Sequence, residues 1–398
     1  MGGRVLSVMT PRTLKDADPA QPLPTGATNG SLPENLASAL RLSVLPGLDS
    51  LRTIAVLLVV LYHYRLPVNG GLGVTIFFVL SGFLITWLLL KEEAKWGDIS
   101  LRLFYIRRSL RIFPAFYVFW AVIIIGMGVL RDKPVAWPQA ISALFYTSNY
   151  YQAITGNWEN ALFHTWSLAI EEQFYLLWPA VFMAVRGNGR RVRLMFAAIP
   201  CFWVYRWILG AFSVPEGYIY AALDTRADHL LTGCLLAVLL FEKRGGHIWK
   251  KVTARTWYLA IPLTLLALSS TVTVITGVQF RNNIGFIIDP LLTVVLLVQA
   301  LALRPAWMNS AFMQFGGRLS YSIYLYHMLA MAIAGKLLTG VPEPARFLGA
   351  VAVVFAISSL SYFVVEKPFL KLKDRAGHRH APAKAQPELR ATALESGP

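Results

Sequence analysis

In the stretch SLRTIAVLLVVLYHY, from Ser50 to Tyr64, Arg52 and His63 stand out from a run of aliphatics as an anion binder and a group that exchanges protons near neutral pH. Eleven positions apart on a helix, they are separated by about 16 Å of rise and lie within roughly 20° of one face. A guanidinium with an imidazole one such length deeper suits a cofactor with a phosphate head and a reactive far end, and coenzyme A has that shape. A neutral imidazole there acts as general base on a hydroxyl, or carries an acyl group transiently. An interfacial arginine plus a histidine satisfied by a neighbouring helix is the plainer alternative, and spacing alone leaves both open.

Three further clusters bear on the choice. In HTWSLAIEEQFYLLWP, His164, Ser167, Glu171 and Tyr175 follow at three, four and four residues and form one polar stripe, with Glu172 on the adjoining face. Adjacent carboxylates in so apolar a segment are costly, so a proton-handling role is expected of them, including orientation of the histidine or stabilisation of its protonated form. In FYIRRSLRIFP, Arg107, Arg108 and Arg111 occupy neighbouring helical positions. Three guanidinium forks match a diphosphate and a further phosphate, although anchoring to anionic lipid explains such clusters equally well. In GGRLSYSIYLYHM, Ser320, Tyr324 and His327 share a face, where hydroxyls commonly serve as glue between membrane helices. Arg226 and Asp228, in TRADHLLTG, read first as a cap and an ion-pair site between helices, and second as an acceptor contact.

The elements that position these groups follow from composition. Hydrophobic residues make up 56% of the chain and charged ones 15%, and the mean hydropathy is +0.52, which describes a polytopic membrane protein. The expected fold class is all-α, a polytopic membrane helix bundle of about ten transmembrane helices, at residues 51–65, 72–91, 112–130, 165–185, 194–213, 226–241, 257–276, 284–303, 319–338 and 347–366. On that layout 29 of the 37 lysines and arginines lie on one side, 5 on the other and 3 within spans. The bias places the N- and C-termini in the cytoplasm, so the net charge of +16 reflects topology and implies no nucleic acid. Residues 131–164 form the one long outer loop, whose half-apolar ISALFYTSNYYQAI reads as interfacial or re-entrant.

The expected domains are a disordered cytoplasmic N-terminal segment (1–46), a membrane domain (47–370) and a disordered cytoplasmic tail (371–398). No cleavable signal peptide is expected, and the first span acts as a signal anchor. Cys201 and Cys234 fall inside apolar segments, so neither a disulfide framework nor a metal site is expected. No P-loop or dinucleotide fingerprint occurs.

The motifs GLDSLRTIAVLLVVLYH, GVTIFFVLSGFLI, FYIRRSLRIFP, HTWSLAIEEQFYLLWP, RADHLLTGCLLA, GRLSYSIYLYH and VVEKPF, in that order, resemble those of acyltransferase family 3, bacterial integral-membrane O-acyltransferases of the polysaccharide O-acetyltransferase type. The resemblance covers about residues 47–370. It implies an acyl-CoA donor, most simply acetyl-CoA, and a glycan or small-molecule hydroxyl acceptor. It also implies a multi-pass protein of the bacterial cytoplasmic (inner) membrane, with a separate periplasmic transfer partner as a further candidate.

Carried over, the resemblance makes Arg52 and His63 the essential pair. Arg108 and Arg111 would hold acyl-CoA, and Glu171 or Glu172 would belong to the active cavity. Tyr324, His327 and Glu366 occupy motif positions. Thr75 stands where the family often has an aspartate, which puts the acceptor or the proton path in question. Many members also carry an esterase-like extracellular domain, for which the short polar stretch after Glu366 leaves no room. The acceptor is expected to approach over the outer loop, where Tyr146, Tyr150, Tyr151 and Trp158 offer rings for stacking on sugars. A transporter or flippase remains the rival reading, since buried charge and a polar cavity suit it as well.

Overall fold

The computed structural model describes residues 31–42, 44–128, 135–158 and 160–378. Every element in them is helical: α1 (Glu34–Arg41), α2 (Leu48–His63), α3 (Gly70–Trp96), α4 (Leu101–Gly128), α5 (Trp137–Leu144), α6 (Ser148–Thr155), α7 (Trp166–Ala184), α8 (Asn188–Ala211) and α9 (Glu216–Ala221). Then come α10 (Leu223–Phe241), α11 (Gly246–Val252), α12 (Ala260–Thr276), the single turn α13 (Val278–Phe280), α14 (Phe286–Leu303), α15 (Ala311–Leu337), α16 (Glu343–Ser361) and α17 (Lys367–His378).

Each of the ten expected spans overlaps one long helix. Six stretches, those of α3, α4, α8, α12, α14 and α16, are long and apolar enough to cross a membrane by themselves. The other four carry Arg52, His63, the α7 carboxylates, Arg226 and His327, part of the candidate chemistry. α2 has only 16 residues, and α7, α10 and α15 lose apolarity to carboxylates, guanidiniums, hydroxyls and imidazoles. In the 131–164 loop, α5 and α6 have eight residues each, so at about 12 Å neither reaches across a hydrocarbon core of roughly 30 Å.

Two expected boundaries are corrected. Within the segment expected to be disordered, ENLASALR forms α1 and buries Leu36, Ala39 and Leu40 against α14, because these positions share one helix face. Residues 1–30 and 43 lie outside the described residues. At the other end α17 runs to His378, past the boundary at 370, and residues 379–398 again lie outside the described residues.

α3 is at the centre, against α10 on one side and α2 on another, and α2 in turn packs on α15. Glycines set the close approach. A Cβ on Gly82 of α3 would stand 1.9 Å from the Leu230 carbonyl oxygen of α10, and one on Gly233 of α10 would stand 2.0 Å from that of Val79 on α3. Membrane helices gain little from apolar burial against each other, so contact between bare backbones takes its place. Thr53 donates to the Met313 carbonyl at 2.6 Å and Ser50 to that of Met308, fixing α2 lengthwise against the start of α15.

Candidate active site

His63 lies at the last turn of α2, half-buried. Its Nδ1 is 3.0 Å from the Val59 carbonyl oxygen and 3.1 Å from Nε2 of His327, on α15. His164, in the 3₁₀ turn that leads into α7, completes a group of three imidazoles. The His63 and His327 rings are 4.9 Å apart and those of His164 and His327 are 5.1 Å apart, centre to centre. Nε2 of His164 donates to the Leu325 carbonyl at 3.1 Å, which leaves its Nδ1 without a partner. Tyr324 donates to the His164 carbonyl at 2.9 Å and shares a 2.5 Å bond with the Ser167 hydroxyl. Residues separated by about 160 positions thus form one hydroxyl–imidazole cluster.

The cluster opens on a cavity of about 370 Å³, walled by Trp158, Phe163, Trp166, Tyr220 and Arg281. Arg281 lies over the Tyr220 ring at 4.5 Å and pairs with Glu216, another wall residue. Tyr62 and His63 also line a more open groove of about 440 Å³, bounded by Arg65, Leu66, Val68 and Val274. Of the loop rings expected to meet an acceptor, only Trp158 lines the cavity. Tyr146 stacks on Phe116 at 4.5 Å, Tyr150 donates to Asp224, and Tyr151 is not among the wall residues.

The second centre gathers the charged residues. Arg108 stacks on the Tyr175 ring at 3.5 Å and faces Glu172 at 4.0 Å, too far for a hydrogen bond. Glu171 accepts from Ser81 of α3 at 2.9 Å and from Tyr175 at 3.5 Å. Arg52 keeps a 3.3 Å contact with Asp49 and lies within electrostatic reach of Glu171. Arg111 is exposed, forms no ion pair among the described residues, and feels the charges of Arg52 and Arg108. These three guanidiniums meet Asp49, Glu171, Glu172 and, through its charge on Arg111, Glu366, so what the centre offers an anion is Arg111, exposed and without an ion pair among the described residues. The carboxylate of Glu366, in the π turn Tyr362–Glu366, accepts from Ser322.

Several expectations therefore separate. Arg52, Arg108, Arg111, Glu171 and Glu172 come together, as do His63, His164, Ser167, Tyr324 and His327. Arg107 turns away and donates to Glu92 of α3 at 2.5 Å, so its guanidinium is committed to joining two helices. Neither carboxylate of α7 is a hydrogen-bond partner of His63. Asp228 pairs with Arg206 of α8 rather than with Arg226. Thr75 faces Arg226, whose Nη2 is 3.5 Å from its hydroxyl, and not His63. Sequence reasoning missed Ser81, Tyr220 and Arg281. Only Ser81 had a signal, as a hydroxyl within the apolar FFVLSGFLI.

Residues 45–363 match the family described as Acyltransferase domain. The peptidoglycan O-acetyltransferase OatA of Listeria monocytogenes serovar 1/2a is 30% identical over 348 residues, which cover 82% of this chain and 56% of that protein. A putative O-acetyltransferase of Staphylococcus aureus strain COL is 31% identical over 364 residues, 83% of this chain and 58% of its own. The putative peptidoglycan O-acetyltransferase YrhL of Bacillus subtilis strain 168 is 31% identical over 352 residues, 81% and 54%. The chain spans little more than half the length of these relatives. No solved structure matches it. With the family match running from residue 45 to residue 363 and its motif residues gathered into two centres, the chain belongs to acyltransferase family 3, a family of multi-pass membrane proteins.

Proposed function

We propose that the protein is an integral-membrane O-acyltransferase of the bacterial cytoplasmic membrane. It moves an acyl group, most simply acetyl, from acyl-CoA on the cytoplasmic side to a hydroxyl of a cell-surface or exported glycan or small molecule. The observation that carries this reading is the division of labour along α2. Its first turns meet a cluster of three guanidiniums in which Arg111 is exposed and without an ion pair among the described residues, and its last turn places an imidazole at a cavity walled by aromatic rings.

In the reaction, Nε2 of His63 takes the proton of the acceptor hydroxyl as that oxygen attacks the thioester carbonyl carbon. Collapse of the tetrahedral intermediate breaks the carbon–sulfur bond, and the CoA thiolate leaves with the proton returned by the imidazolium. Arg52, Arg108 and Arg111 hold the phosphates, and Trp158, Trp166 and Tyr220 receive the acceptor. Peptidoglycan, after which two of these relatives are named, is the first acceptor to try.

Purified protein in detergent should release CoA thiol from acetyl-CoA only when an acceptor is present. Arg111→Ala should raise KM for acetyl-CoA with little change in kcat, since phosphate contacts made equally in ground and transition states affect binding alone. A pure kcat effect would remove Arg111 from donor binding, and absence of any acetyl-CoA-dependent transfer would remove the donor assignment itself.

The reading also requires ten crossings with both termini inside. A cysteine placed at Asn157, exposed just after α6, should react with an impermeant maleimide in intact cells. Labelling that appears only after lysis would reverse the orientation.

A further inference from the structure

We propose, given the reading of His63 as the base, that His327 is its positioning residue and fills the place that a buried carboxylate takes beside other catalytic histidines. The geometry determines which ring nitrogen carries each hydrogen. Nδ1 of His327 is 2.8 Å from the carbonyl oxygen of Tyr324, one turn earlier in its own helix. A carbonyl only accepts, so Nδ1 must carry the hydrogen. A neutral imidazole has one N–H, which leaves Nε2 of His327 with its lone pair. The opposite tautomer would set two lone pairs against each other at 2.8 Å.

That lone pair faces Nδ1 of His63 at 3.1 Å, and Nδ1 of His63 also faces the Val59 carbonyl at 3.0 Å. With acceptors on both sides, Nδ1 of His63 carries its hydrogen and shares it between them. Nε2 of His63 is then the bare nitrogen, the only tautomer in which it can take a proton from a hydroxyl. The Val59 carbonyl alone would select this tautomer, but it belongs to the same helix turn and rotates with the ring's own backbone. His327 comes from α15 and fixes the ring from outside.

Its second contribution comes once His63 has taken the proton. The N–H···N contact becomes charge-assisted, which stabilises the imidazolium. A carboxylate would do so more strongly, but it would add a full negative charge to a site where His327 is completely buried, and desolvating that charge is costly. An uncharged imidazole avoids this cost. Among the described residues no carboxylate is a hydrogen-bond partner of His63, whose partners are the Val59 carbonyl and His327.

Two substitutions separate orientation from other roles. In His327→Ala, kcat should fall roughly 10- to 100-fold, the scale seen when a metal-bound histidine loses its outer partner and less than the roughly 10⁴-fold of a triad carboxylate, because the Val59 carbonyl still selects the tautomer; KM for acetyl-CoA should be unchanged. In His327→Gln, the side-chain carbonyl accepts the Nδ1–H of His63 without exchanging a proton, and most of kcat should return. A Gln variant as inactive as the Ala variant would overturn the proposal, since His327 would then need a titrating ring. So would an Ala variant with wild-type kcat.

If the Ala variant does not accumulate in folded form, ¹⁵N-histidine NMR of the wild-type protein decides the question. The expected spectrum shows His327 protonated at Nδ1 and bare at Nε2, with a ¹⁵N–¹⁵N coupling across the hydrogen bond from Nδ1 of His63 to Nε2 of His327; absence of the coupling, or His327 protonated at Nε2, overturns the proposal. That spectrum does not depend on activity, so it stands apart from a failure of His63 as the base.

Discussion

His63→Ala should lose at least the roughly 100-fold that follows removal of a general base, while still inserting in the membrane and still binding CoA. The residue lines both cavities and bears little of the packing: its side chain is half-buried, its polar partners are a carbonyl of its own helix and the His327 ring, and it meets the Tyr62 and Phe163 rings edge to face at 5.1 and 5.4 Å. Removing it should therefore leave the melting temperature close to that of the parent. His63→Gln is the sharper variant, because glutamine keeps an amide within similar reach of Val59 and His327 but takes no proton at neutral pH. A histidine serving only as a structural donor predicts that Gln restores transfer; a base predicts that it does not. Near-normal kcat in folded His63→Gln would move the proton transfer to another imidazole, and His164, whose Nδ1 has no partner, would be the next to test.

The largest expected effect on stability lies away from the chemistry. Arg206 and Asp228 form a two-pronged pair at 2.8 and 2.9 Å, with both side chains 1% exposed. Trp203 donates a further bond to the same carboxylate at 3.1 Å, and Arg206 also reaches the Thr225 carbonyl at 2.7 Å. Asp228→Ala strands a guanidinium in the bundle beside Arg226, itself fully buried and held by 3.3 and 3.5 Å contacts, the Phe286 ring at 3.9 Å and, farther off, the Tyr220, Phe78 and Trp166 rings. Breaking a buried pair from one side costs about 3–5 kcal/mol, enough to prevent most of the protein from accumulating. The double variant Arg206→Met with Asp228→Leu removes both charges and should recover much of the loss. Thermal unfolding in detergent compares the three proteins; a single Asp228→Ala variant that melts with the parent would show that the pair does not hold α8 to α10.

Much of this architecture was legible because lipid imposes it. Long apolar runs have no other stable form in hydrocarbon, so each expected span fell on a long helix, although α4 begins 11 residues and α15 8 residues before the expected start. The spacing of Arg52 and His63 was legible for the same reason, since a helix converts sequence distance directly into depth. Which groups meet across helices was not. Periodicity put Glu171 and His164 on one stripe, but a stripe about 10 Å long serves two different centres, and only the packing of α3 and α15 assigns Ser81 to one and Tyr324 to the other. Arg107 was indistinguishable from Arg108 and Arg111 until Glu92 was found against it. The helix α1 was hidden because eight residues with four apolar positions give too short a pattern to stand out from a polar flank.

The contact between His63 and His327 joins positions 264 residues apart in the chain. During synthesis the base emerges early and its partner near the end, after α3, α4, α7, α8, α10, α12 and α14. On the proposed reading, a partly made chain already holds the arginines and keeps the Val59 carbonyl against His63, but lacks the partner that fixes the ring from another helix. Such a chain would transfer acyl groups slowly until α15 arrives beside α2.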